Sequence, residues 1–166
     1  MPNENIARGI VNMTPIVTIA ATSDVAAKEV IHHDFSTIGS RLEYSSAGDE
    51  EKWYYNASTS VSTSANLISG SFTDTGTIAN DDKVKFLFVK YSEKQEINVT
   101  IYIALGGEDP AAINQQSISL NKGESFIIKL KSTEVDDIHV AVASGSGPVI
   151  CEVAAIIDDI SAGGGG

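Results

Sequence analysis

The alternation of apolar and polar positions is strongest after residue 83. "KVKFLFVKY" reads as a strand apolar on both faces, with Val84, Phe86 and Phe88 on one and Leu87, Val89 and Tyr91 on the other. "EINVTIYIAL" places Ile97, Val99, Ile101, Ile103 and Leu105 on one face, and "GGEDP" breaks the run. "SISLNKGESFIIKL" is two alternating runs joined by a turn at Asn121, Lys122 and Gly123. Ile118 and Leu120 point inward before the turn, and Phe126, Ile128 and Leu130 after it. "DIHVAVAS" turns Ile138, Val140 and Val142 inward, and "VICEVAAII" does the same with Val149, Cys151, Val153 and Ala155.

The first half is less regular. Residues 1 to 13 are polar and weakly patterned and read as an N-terminal arm. "TPIVTIAAT" is rich in β-branched residues, with Pro15 at its entrance, where a missing N–H is tolerated. "AAKEVIHHDF" admits a short helix or a strand. Strand is preferred, because Val30, Ile31 and Phe35 give no sustained helical stripe. Residues 36 to 82 mix an aromatic cluster with a Ser/Thr-rich run in which Thr59, Val61 and Thr63 alternate with serines. Short strands with Gly, Asn and Asp turns, and no amphipathic helix, predict an all-β fold. The expected architecture is an antiparallel two-sheet sandwich, jelly-roll-like, of roughly eight to ten strands. It forms a single domain over residues 14 to 160, followed by a flexible Gly-rich tail at 161 to 166.

Composition narrows the function classes. The chain has 166 residues, 42% of them hydrophobic, enough for a folded core without staples. Its formal charge of −11 disfavours nucleic acid and anionic membranes as partners. The single cysteine, Cys151, excludes an intrachain disulfide and reads as a small buried hydrophobe. No basic segment leads into an apolar leader, and no run is long enough for a membrane helix. Synthesis in the cytosol without secretory export is therefore expected, which makes the sequons at Asn12, Asn56 and Asn98 chance matches.

Candidate chemistry is sparse. His32 and His33 are adjacent, so on a strand they face opposite ways, and His139 faces out. The three make a poor zinc site. Asp81-Asp82, Glu108-Asp109, Asp136-Asp137 and Asp158-Asp159 fall near strand ends. They are raw material for calcium or for a glycosidase pair, but read more simply as solvated turn carboxylates. There is no GxSxG elbow, and "SGSGP" at 144 to 148 opens no helix and is no phosphate loop. No catalytic, cofactor or metal residues are assigned, and no cofactor is expected. Trp53, Tyr54 and Tyr55 are the candidate contact residues, for a subunit interface or for stacking against glycans. The two-faced "KFLFVKY" and the number of aromatics point to a homo-oligomer.

From about residue 83 to 158, the order "KFLFVKY", "VTIYIALGG", "ISLNKGESFIIKL", "VDDIHVAVASGSGPVICEVAAI" resembles small β-sandwich structural proteins of tailed-phage virions, in which a "GES" hairpin precedes the last strands. The resemblance implies a non-enzymatic building block located in the virion and assembled in the host cytoplasm. Its role there would be capsid decoration (cement), with the major capsid protein as partner and a trimer as the favoured state. A tail or fibre component, and a carbohydrate-binding module for host-surface glycans, are the alternatives. Burial of the 53–55 aromatics in a subunit contact favours the structural role; an open groove with acidic or amide partners favours the glycan role.

Overall fold

The computed structural model describes residues 6–11, 16–19, 28–31, 40–45, 51–73, 76–93, 99–106, 117–142 and 148–160. The chain divides into two compact units, Arg8–Tyr44 and the remainder. The smaller unit carries two short antiparallel ladders. One joins β1 (Ile6–Val11) to β4 (Ser40–Ser45), so the expected arm contains a strand. Arg8 Nε donates to Glu43 Oε2 across it at 2.7 Å. The other ladder joins β2 (Ile16–Ile19) to β3 (Lys28–Ile31) in the register Ile16↔Ile31.

The larger unit contains β5 (Glu51–Val61), β6 (Ser64–Asn66), β7 (Lys83–Tyr91), β8 (Ile101–Ala104), β9 (Ser117–Leu120), β10 (Ser125–Glu134), β11 (His139–Val142) and β12 (Val149–Asp158). A 3-10 turn at Val135–Asp137 links β10 to β11. The first of these strands pairs with the last, β5 with β12; then β6 pairs with β11, β7 with β10, and β8 with β9. These nested pairs describe a long antiparallel ribbon that turns back between β8 and β9. The ribbon rolls up so that β12 also pairs with β7 and β11 with β8. The result is two four-stranded sheets, β10-β7-β12-β5 and β6-β11-β8-β9, which is jelly-roll topology.

Between the sheets lies the core. Val84, Leu87, Val89 and Tyr91 of β7 meet Val149, Cys151, Val153, Ala155 and Ile157 of β12. Ile101, Ile103, Val140 and Val142 come from the opposing sheet. Phe126, Ile128 and Leu130 close one flank, as their alternation predicts. Each fully buried aliphatic side chain contributes roughly 1.5–3 kcal/mol over an exposed one. Ile97, Glu108, Asp109, His32, His33 and the tail at 161 to 166 lie outside the described residues.

One feature of β7 departs from simple alternation. Ile156 pairs with Phe86, but the next residue, Ile157, pairs with Val84, leaving Lys85 as an extra residue. This bulge shifts the phase of the strand. Val84 therefore joins Leu87, Val89 and Tyr91 inside, whereas Phe86 and Phe88 face outward.

Candidate functional site

The register places the outward side chains of the β10-β7-β12-β5 sheet in rows. Lys129, Phe86, Ile156 and Trp53 form one, and Ile127, Phe88, Ala154 and Tyr55 the next. These two rows make an apolar and aromatic band. Phe86 and Ile156 are buried, Trp53, Ile127, Phe88 and Ala154 are half-buried, and Tyr55 is 49% exposed. On one side the band is bounded by the row Glu134, Lys83, Asp158 and Glu51. There Lys83 pairs with Glu134, and Lys85, projected by the bulge, lies 3.3 Å from Asp158. On the other side the bounding row is Ser125, Lys90 and Glu152.

Trp53, Tyr54 and Tyr55 are consecutive on β5, so the pleat splits them. Tyr54 is 2% exposed and belongs to the core; its hydroxyl is buried with no hydrogen-bond partner among the described residues. Trp53 and Tyr55 share the outer face, in adjacent rows. The three therefore do not form one platform.

Tyr55 instead lines an open cleft of about 380 Å³ with Ala57, Lys90, Ser92, Glu93 and Glu152. Several local features build it. Asn56 Oδ1 accepts from Ser58 N at 2.9 Å, a side-chain turn at the point where β5 bulges against β12. That bulge carries Ala57 into the cleft wall. Tyr55 pairs with Ala154, too small to cover its ring, and its hydroxyl donates to Glu152 Oε1 at 2.8 Å. Glu152 sits two residues along β12, so the ring leans across the sheet. The hydrogen bond to Glu152, then burial and the carboxylate's charge, raise the Tyr55 pKa, and the phenol stays a donor. Glu93 is set by the β9–β10 turn: Gly123 N donates to Tyr91 O, and a Cβ on Gly123 would stand 3.0 Å from Glu93 Cγ. Gly123 also has φ +86, which a side chain would strain.

A second cluster of polar groups is structural. Asp82 is fully buried. Its Oδ2 accepts from Ala79 N at 2.8 Å and its Oδ1 from Ile160 N at 3.1 Å, while its own carbonyl accepts from Val135 N. It ties the entrance of β7 to the end of β12 and to the 3-10 turn. Burial raises its pKa, against the two backbone N–H donors. Beside it, Lys52 Nζ donates to the buried Asp159 at 2.7 Å and lies 5.1 Å from the Phe72 ring centre. Gly76 permits this closeness, because a Cβ there would approach Lys52 Nζ to 3.2 Å. Asp82 and Asp159 thus correct the expectation of solvated turn carboxylates. Their signal was present: each is the second acid of its pair, next to a strand boundary.

His139 is half-buried and stands outside the core cluster, as its alternation indicates. Cys151 is fully buried, and burial pushes its thiol up to about 11, which leaves it protonated and inert at neutral pH. Among the described residues no group of three or more His, Cys, Asp or Glu is placed to hold a metal ion. No described helix is long and apolar enough to cross a membrane. Comparisons with protein-family models, curated proteins and solved structures find no match.

Proposed function

We propose that this chain is a structural virion protein, a capsid decoration protein that stabilises a phage head through protein–protein contacts and carries no catalysis of its own. The observation that supports this most is the outer face of the β10-β7-β12-β5 sheet. Its accessible apolar groups, Tyr55 with the half-buried Trp53, Ile127, Phe88 and Ala154, lie between charged rows, the arrangement of an interface core with a polar rim. The jelly roll is an architecture of viral capsid and lectin domains, so the fold accords with the reading by analogy. The strand order from 83 to 158 adds its likeness to small virion proteins. The charge of −11 fits a partner that is protein rather than nucleic acid.

The band implies self-association, with closed symmetry as the usual outcome. A trimer is favoured because capsids offer threefold and quasi-threefold positions where it bridges neighbouring capsomers and touches the major capsid protein. The first test is sedimentation velocity at micromolar concentration. The expected mass is three times the 17.5 kDa of one chain, and Phe88→Lys should lower it to a single chain. A wild-type protein that stays monomeric overturns the oligomer. Labelled protein should then bind emptied heads; binding to purified tails alone moves it to a tail or fibre role.

A further inference from the structure

We propose that the cleft at Tyr55 and Glu152 is a binding site for a neutral saccharide, at the edge where the apolar band ends in Tyr55. The lining decides the ligand class. An apolar ligand is excluded by Lys90, Ser92, Glu93 and Glu152, which leave Tyr55 and Ala57 as the main apolar surfaces. An anion is excluded by the two carboxylates, which outnumber the single ammonium. A polyhydroxylated ring satisfies the whole set. Its C–H face packs on the exposed Tyr55 ring, its hydroxyls donate to Glu152 and Glu93, and a hydroxyl oxygen accepts from Lys90.

The groups are held before any ligand arrives. Glu152 Oε1 is fixed by the Tyr55 hydroxyl at 2.8 Å, leaving Oε2 as the acceptor. Lys90 is the direct cross-strand neighbour of Glu152 and makes no ion pair among the described residues. Glu93 lies against the Gly123 turn. Four of the six lining residues therefore stand on sheet strands, and a fifth is braced by a hairpin. Such placement lowers the ordering cost of binding. A volume near 380 Å³ is at the small end of ligand pockets (~300–1,000 Å³), which suits a mono- or disaccharide bound weakly.

The test is a titration of the full-length, ¹⁵N-labelled protein with the methyl glycosides of glucose, galactose, mannose and N-acetylglucosamine, followed by amide shifts. Methylammonium serves as a cationic probe. At least one glycoside should shift the signals of Tyr55, Ala57, Lys90, Ser92 and Glu152 in the millimolar range. Tyr55→Ala should weaken that binding about tenfold or more, the loss expected of a stacking ring. Tyr55→Phe, which keeps the ring but releases Glu152 Oε1, should bind between wild type and Tyr55→Ala, and spectra that are unchanged elsewhere certify both variants as folded. The proposal is overturned by an absence of shifts with all four glycosides, by shifts that survive Tyr55→Ala, or by a response to methylammonium alone. Tyr55 also ends one row of the apolar band, so the titration is repeated on Phe88→Lys, and sedimentation of the wild type reads the virion role separately.

Discussion

On its inner face the β10-β7-β12-β5 sheet presents Phe126, Leu87, Val153 and Tyr54. One residue further along each strand, its outer face presents Ile127, Phe88, Ala154 and Tyr55. The inner set meets a second sheet and is selected for volume and apolarity, so it is apolar from end to end of β7 and β12. The outer set is apolar for two rows only, with charges above and below. A face that had merely to be soluble would not concentrate its aromatics. Phe86 and Ile156 of the outer face are themselves buried, so what that face leaves accessible is Tyr55 with the half-buried Trp53, Ile127, Phe88 and Ala154.

The largest effect should come from testing the two faces at neighbouring positions. Leu87 is fully buried, and Leu87→Ala should cost about 2–5 kcal/mol, the transfer loss plus a residual cavity. Phe88 is half-buried on the outer face, and Phe88→Ala should cost the monomer about 1 kcal/mol or less. Urea denaturation of both variants under dilute conditions makes the comparison. Equal losses would mean that the outer band is a second core, and the functional reading of it would go.

Most of the inner face was legible in the sequence, because alternation maps directly onto burial wherever a strand is regular. Ile138, Val140, Val142, Val149, Cys151, Val153 and Ala155 all lie inside as read. The failures have a common cause. Alternation carries no mark for a bulge, so the extra residue at Lys85 reversed the side of Val84 relative to Phe86. The cleft was less visible still. Tyr55, Lys90, Ser92, Glu93 and Glu152 come from three separated stretches, and only the pairing of β5 and β7 with β12 brings them together. The period-two rule did contain the splitting of Trp53, Tyr54 and Tyr55; reading the three as one cluster overlooked it.

A smaller effect sharpens the comparison at the end of the sheet, where Asp82 is buried and its neighbour Lys83 faces out to Glu134. Asp82→Asn keeps the shape but offers one acceptor oxygen to two backbone N–H groups. The loss should be about 1–3 kcal/mol from the donor left unpaired. The pH dependence follows from the raised pKa. Asp82 holds its proton more firmly folded than unfolded, so its contribution is fully present below the unfolded value near 3.8. It declines as pH rises through the raised folded value. The wild-type-minus-variant difference reads residue 82 in place, beside Asp159 and Asp81, whose charges also raise its pKa. The penalty of Asp82→Asn should therefore be greatest at acid pH and shrink toward neutrality. A penalty that grows with pH would show that Asp82 is held as a stabilised anion instead.

The smallest effect belongs to the outermost pair, Tyr55 and Glu152, where no change in melting temperature is expected from either Tyr55→Phe or Glu152→Gln. Their signature is in titration. The hydrogen bond from the Tyr55 hydroxyl to Glu152 holds the phenol above its ordinary value of 10.0. The chain has five tyrosines, so the absorbance titration of wild type must be read minus that of Tyr55→Phe. The difference should show one phenol ionising above 10.0. Glu152→Gln should bring it down, since a neutral amide accepts the bond more weakly and repels the phenolate less. The linkage sign is that of any raised group: whatever the pair contributes is present below 10.0 and lost as pH rises through the folded value. A Tyr55 phenol that ionises at its ordinary value in both proteins would mean that the Tyr55–Glu152 bond is not held in solution. The cleft would then lose its fixed acceptor, and the outer face would keep only its apolar band.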